Sequence, residues 1–226
     1  MSGAAPTAAP TAAPTAAPTA APTAAPTAAS DLRAAVDGPE VRAAVEEPDV
    51  RTAAEDFRAA SRGWTSGVAV ITARTGEEVF AKTVSSFSTL SLDPLLVTVA
   101  IGRHSPLVAA VRASGHFGLS ILTNRQISVA RRFATPGAGR ARGAFTAVGA
   151  HAAVPMRTAA TGAPLVEDAL ARFDCRLHAD LPGGDHTILV GRVAAAARDD
   201  GTPLLYHDGQ YRVLAPNPLT TNGVGA

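Results

Sequence analysis

The sequence predicts a mostly β protein, a largely antiparallel barrel with a few flanking helices behind a disordered N-terminal arm. Short β-branched runs recur between Gly, Pro, Asp and Asn along most of the chain. Helix signals are few, and strand and helix do not alternate regularly as in a doubly wound sheet. No GxGxxG follows a strand, which argues against a Rossmann-type cofactor site.

The 226-residue chain opens with a segment that cannot belong to that barrel. From Ala4 to Thr27 the tetrapeptide AAPT occurs six times without a break. A proline at every fourth position forbids a continuous helix or a central strand, and the large apolar groups needed to offset ordering are missing. Residues 1–30 are therefore expected to form a disordered, semi-extended arm. The arm has neither a basic start nor a Leu, Ile or Val run, so it does not read as a signal peptide.

Residues 31–55 are expected to be a charged linker. Asp31-Leu32-Arg33, Glu40-Val41-Arg42 and Asp49-Val50-Arg51 recur at nine-residue spacing, and Pro39 and Pro48 stop each short helical turn. Residues 31–56 hold eight acids against three arginines, whereas the whole chain carries +1 and residues 1–30 carry no charge. The part from Phe57 onward is thus positive by six, a mild excess that suits an anionic small ligand and is too scattered for nucleic acid.

The barrel domain is expected over 56–215, with a flexible tail at 216–226. Its strands read as Val68–Thr72, Leu95–Ile101, Phe117–Leu122, Ala169–Leu177, Thr187–Ala195, and Pro203–Tyr206 with Tyr211–Leu214. One helix reads from Ser105 to Ala113, with Ser105 as N-cap and Pro106 at the first turn. Another reads from Asn124 to Ala134, with Ile127, Ala130 and Phe133 on one stripe. The single cysteine, Cys175, excludes an intrachain disulfide, fits a reducing compartment, and reads as a buried small hydrophobe on a strand. No apolar run has the length of a membrane span, so a cytoplasmic protein without membrane contact is expected.

Two segments carry candidate chemistry. Between Ala81 and Ser91 stand Lys82, Thr83, Ser85, Ser86, Ser88, Thr89 and Ser91, a hydroxyl-rich run just before an apolar strand. Such hydroxyls can bond the edge of a flat heterocycle, or simply the local backbone. Lys82 reads as a solvated side chain on a strand. In GGDHTILVGRV, Gly183 to Val193, Asp185 and His186 stand at the start of a strand, where they read as a turn or as ligand-binding groups. His178, Asp185, His186 and His207 match no compact metal-ligand spacing, and no GxSxG elbow marks a serine hydrolase.

In company these pieces carry a resemblance. GVAVIT (Gly67–Thr72), TVSSFSTLSLDP (Thr83–Pro94), GHFGLSIL (Gly115–Leu122), Arg131-Arg132-Phe133, GDHT (Gly184–Thr187) and PLLYHDGQY (Pro203–Tyr211) occur in the order that marks the short-chain flavin reductases. The chain resembles that family, the reductase components of two-component flavin monooxygenases, from about Asp56 to Leu214. It departs in having Leu95 where a second proline is usual and Lys82 where an apolar residue is common. The two N-terminal repeats have no counterpart.

The resemblance implies an FMN-binding split β-barrel that forms a homodimer, with flavin near the subunit interface. It implies NADH or NADPH as hydride donor, FMN or FAD as acceptor, and a flavin-dependent monooxygenase as recipient of reduced flavin. Thr83, Val84, Ser85 and Ser86 would line the isoalloxazine edge, with Ser91 and Ser105 nearer the ribityl chain and phosphate. His186 would contact the nicotinamide cofactor, with Asp185 holding the turn or the imidazole. Tyr206 and Tyr211 would border the pocket, unless they only pack on each other. No side chain need act as a nucleophile, because the cofactors carry the hydride chemistry. A flavin-binding protein or a flavin-dependent oxidase without free-flavin turnover is the alternative.

Overall fold

The computed structural model describes residues 50–142 and 154–215. The repeat arm, residues 31–49 of the charged linker and the tail fall outside them. The first described element is helix α1 (Val50–Arg62), which begins two residues after Pro48 and runs through the expected linker boundary. Gly63 closes it, its N–H donating to the Ala60 carbonyl at 3.1 Å.

Thirteen strands follow among the described residues: β1 (Ser66–Gly67), β2 (Ala69–Thr75), β3 (Glu78–Val84), β4 (Ser88–Leu92), β5 (Leu95–Gly102), β6 (His116–Ile121), β7 (Arg140–Arg142), β8 (Met156–Thr158), β9 (Pro164–Val166), β10 (Ala171–Gly183), β11 (His186–Arg198), β12 (Leu204–His207) and β13 (Gln210–Val213). Eight of them form one antiparallel sheet in the order β4-β5-β11-β10-β6-β2-β3-β7. Strands β1, β12 and β13 form a second sheet, and β8 pairs with β9.

Every expected strand is present; β10 runs six residues further toward the turn it shares with β11, and β11 starts one residue earlier and runs three residues further at its far end. In that turn Gly183 pairs with His186, and Gly184 takes φ +67° at the first of two loop positions. A β-branched residue there would be strained, whereas glycine suits a tight two-residue hairpin. The register shift at Asp174/Cys175 leaves Ala194 of β11 unpaired, and the shift at Leu177/Ala179 leaves His178 of β10 unpaired, a bulge in each strand of the hairpin.

Around β2 the large sheet is buried on both faces. In β2, Ala69, Ile71 and Ala73 enter one apolar cluster, which also holds Val99, Ile101, Phe117, Leu119 and Leu189. Val70 faces the other, with Val79, Leu122, Phe133 and Leu204. This two-sided burial explains why β2 reads as an unbroken apolar run rather than an alternating one. Helix α2 (Pro106–Ser114) covers the first cluster with Leu107, Val108 and Val111. Helix α3 (Ile127–Ala134) covers the second with Ala130 and Phe133.

The helix caps differ in detail from expectation. Ser105 is the N-cap of α2, but its side chain makes no capping hydrogen bond. The segment expected to begin at Asn124 starts as a 3-10 turn over Asn124–Gln126. Thr123 is its cap, its N–H donating to Gln126 Oε1 at 3.1 Å. Cys175 is fully buried, and burial followed by the charge of Asp174 pushes its thiol up to about 12, so it is inert packing. Among the described residues no helix is long and apolar enough to cross a membrane, and no His, Cys, Asp and Glu cluster could hold a metal.

Candidate functional site

The hydroxyl-rich segment begins as strand and ends as an anchor. Strand β3 pairs with β2 as far as Val84, and the backbone leaves the ladder at Ser85. Thr83 turns toward α3 and donates its hydroxyl to the Ala130 carbonyl at 2.7 Å, while Val84 is buried in the core. Ser85 is exposed. The Ser86 hydroxyl donates to the Ala100 carbonyl at 2.8 Å and accepts from the Ala100 N–H at 3.1 Å. Ser88 pairs with Thr98 next to it, so Ser86 takes the following rung on the edge of β5. The Ser91 hydroxyl accepts the Asp93 N–H at 3.2 Å and supports the β4–β5 turn.

A cavity of about 480 Å³ opens between β3, the β5–α2 loop and the loop after α3. Phe80, Leu107 and Phe133 give it apolar walls, while Lys82, Arg103 and Ser105 contribute polar groups. Lys82 and Arg103 are exposed cations, and Ser105 stands at the start of α2 with its hydroxyl not used in capping. Arg140 also borders the cavity, but bonds Glu78 at 2.8 and 3.0 Å and lies over the Phe80 ring. The loop wall depends on Gly139. Its carbonyl accepts the Ala81 N–H at 2.6 Å, and a Cβ there would come within 1.8 Å of the Ala81 oxygen.

A second cavity, of about 600 Å³, lies between α1 and the β10–β11 turn, lined by Phe57, Arg58, Ala100, Asp185, His186 and Ile188 among others. Asp185 borders both cavities. Its Oδ1 lies 2.7 Å from His186 Nδ1. The Asp185 carboxyl is held below its ordinary value, first by the hydrogen bond from His186 and then by the imidazole's charge, with a smaller contribution from Arg103. The turn itself is tied to the β5–α2 loop, because the Arg103 N–H donates to the Asp185 carbonyl at 3.0 Å.

Of the residues singled out in the sequence, Ser105, Asp185 and His186 are thus brought to the two cavities, and Ser86 reaches the same place through Ala100. Tyr206 and Tyr211 are a cross-strand pair with rings edge to face at 5.6 Å. Neither lines these two cavities; Tyr211 packs on the cluster beneath α3, and burial pushes its hydroxyl pKa up, Tyr206 adding to this. Arg103, Gly139 and Arg58 were missed. The Arg-His-Ser-Pro run and the Gly-Ala-Gly run were their only sequence signals.

Residues 61–215 match the flavin reductase like domain family. An NADH-dependent FMN reductase of Streptomyces nodosus subsp. asukaensis is 37% identical over 161 residues, spanning 70% of this chain and 84% of its own. The reductase component of a 4-hydroxyphenylacetate 3-monooxygenase from Thermus thermophilus is likewise 37% identical, over 71% and 96% of the two chains. Among solved structures, the flavin reductase component of a bacterial two-component tryptophan halogenase superposes with a TM-score of 0.63 at 34% identity, covering 73% of this chain and 99% of that one. An NADH:FAD oxidoreductase of Streptomyces globisporus gives 0.65 at 30% identity, covering 76% and 99%. The antiparallel sheet with its flanking helices is the split barrel that the sequence resemblance implied. Fold, motif order and relatives agree, and the chain belongs to the flavin reductase like domain family.

Proposed function

We propose that this chain is an NAD(P)H:flavin oxidoreductase that supplies reduced FMN or FAD to a partner monooxygenase. The observation that carries the reading is the position of Asp185, shared by two cavities whose linings differ in kind. The 480 Å³ cavity suits a flavin nucleotide, with apolar walls for a ring system and the cations Lys82 and Arg103 beside Ser105 for a phosphate. The neighbouring cavity suits the nicotinamide nucleotide, with His186 at its wall.

Bound flavin and nicotinamide supply the hydride chemistry between them. The protein's part is to position them. Ser86 fixes the β5 edge at Ala100, Ser85 stands exposed just beyond the buried Val84, and the Gly139 loop forms one wall of the cavity. Asp185 holds His186 through Nδ1, which leaves Nε2 as the nitrogen to meet a ligand. The mild positive excess of the domain favours both anionic nucleotides.

A homodimer is part of the proposal. Leu90, Leu92 and Leu95 at the β4–β5 hairpin are 54%, 88% and 52% exposed, an apolar tip that association would cover. Light scattering giving a monomer mass with flavin bound would contradict it. The single buried cysteine supports a cytoplasmic setting. Steady-state turnover by the purified protein with each pairing of FMN or FAD with NADH or NADPH tests the activity. Catalytic reduction of added flavin is expected, and none with any pair would overturn it.

A further inference from the structure

We infer that Arg58 of α1 binds a phosphate on the adenosine side of NAD(P)H, which makes α1 part of the nicotinamide site. The inference rests on the reductase reading and adds to it a residue outside the matched domain, which begins at residue 61. Helix α1 forms one wall of the 600 Å³ cavity through Phe57 and Arg58, opposite His186 and Ala100. Arg58 is exposed and has no ion-pair partner among the described residues. Glu55 and Asp56, the neighbouring acids on α1, do not line the cavity, and the carboxylate of Asp185 lies against His186. Arg58 therefore presents a cation to a space large enough for a nucleotide. A guanidinium fork matches phosphate oxygens, and the ring of Phe57, 72% exposed on the same wall, offers a face for a base.

The phosphate has two possible sources, the bridging diphosphate and the 2′-phosphate of NADPH. Michaelis constants for NADH, NADPH and reduced nicotinamide mononucleotide, with flavin affinity and melting temperature as controls, are measured on wild type, Arg58→Gln and Arg58→Lys. Loss of a charge-assisted phosphate contact should raise the constant about tenfold, with partial recovery in the lysine variant. An equal rise for NADH and NADPH assigns the diphosphate, and a rise for NADPH alone assigns the 2′-phosphate; in both cases the mononucleotide and flavin values stay put. Unchanged constants for NADH and NADPH in a folded variant, or an equal rise for all three nucleotides, overturn the inference. A wild type that oxidises no nicotinamide nucleotide fails at the reductase reading itself.

Discussion

The Ser86 hydroxyl engages both backbone groups of Ala100, donating to its carbonyl at 2.8 Å and accepting its N–H at 3.1 Å, and so continues the β5 edge beyond the last β4 pair. Ser86→Ala removes both bonds at an exposed edge where water can replace them. The expected cost is about 1 kcal/mol, or a fall in melting temperature of roughly 2–4 °C. Ser86→Thr should restore most of it. An alanine variant that melts with wild type would show that the anchor contributes nothing.

His186→Ala should raise the Michaelis constant for NAD(P)H roughly five- to tenfold, the effect of about 1 kcal/mol, and leave flavin affinity near wild type. A loss of turnover of about 100-fold with a titration near neutrality would instead mark a general acid.

The Asp185–His186 pair also has a pH signature. The folded carboxyl titrates below its ordinary 3.8, so the pair is intact above that value and is lost as pH falls through the lower folded value. Nicotinamide affinity should therefore fall in that acid window in wild type, and Asp185→Asn should abolish this step. Equal acid profiles for the two proteins would remove Asp185 from the site.

Two glycine substitutions should separate site from core. At Gly139 a Cβ would clash with the Ala81 oxygen at 1.8 Å, so Gly139→Ala should displace the loop beside the 480 Å³ cavity and weaken flavin binding. At Gly191 a Cβ would meet Phe117 Cζ at 2.4 Å and Cys175 Cβ at 2.9 Å inside the core. Gly191→Ala should cost about 1–3 kcal/mol by overpacking, with normal kinetics in the protein that remains folded. Thermal melts and flavin titrations on both variants check the contrast.

Deletion of residues 1–48 retains α1 and the whole matched domain, and should leave melting temperature and turnover nearly unchanged. A large fall in melting temperature would make the arm part of the folded unit.

Core strands such as β2 were legible because burial on both faces leaves β-branched runs such as Val68–Thr72, whereas the buried β3 and the three-residue β9 were not read as strands. Strand β4 was not, because it is an edge whose Ser88, Thr89 and Leu90 are exposed, and an exposed edge tolerates a polar sequence that also suits a loop. At the site, Asp185-His186 stood out because polar groups interrupt an apolar run at a glycine turn. The roles of Thr83 and Ser86 could not be read locally, since their hydroxyls bond Ala130 and Ala100, 47 and 14 residues away. Arg58 and Arg103 were hidden for a related reason. An arginine at a helix face or loop carries no sign of the cavity that tertiary packing places beside it.

The most direct test of two nucleotide cavities meeting at Asp185 is anaerobic mixing of flavin-loaded protein with NADH and with NADPH, following the absorbance of oxidised flavin. The expected result is its complete loss, one flavin per nicotinamide nucleotide consumed with the better donor, faster than in the protein-free mixture. Oxidised flavin that persists with both donors at the protein-free rate would contradict the account.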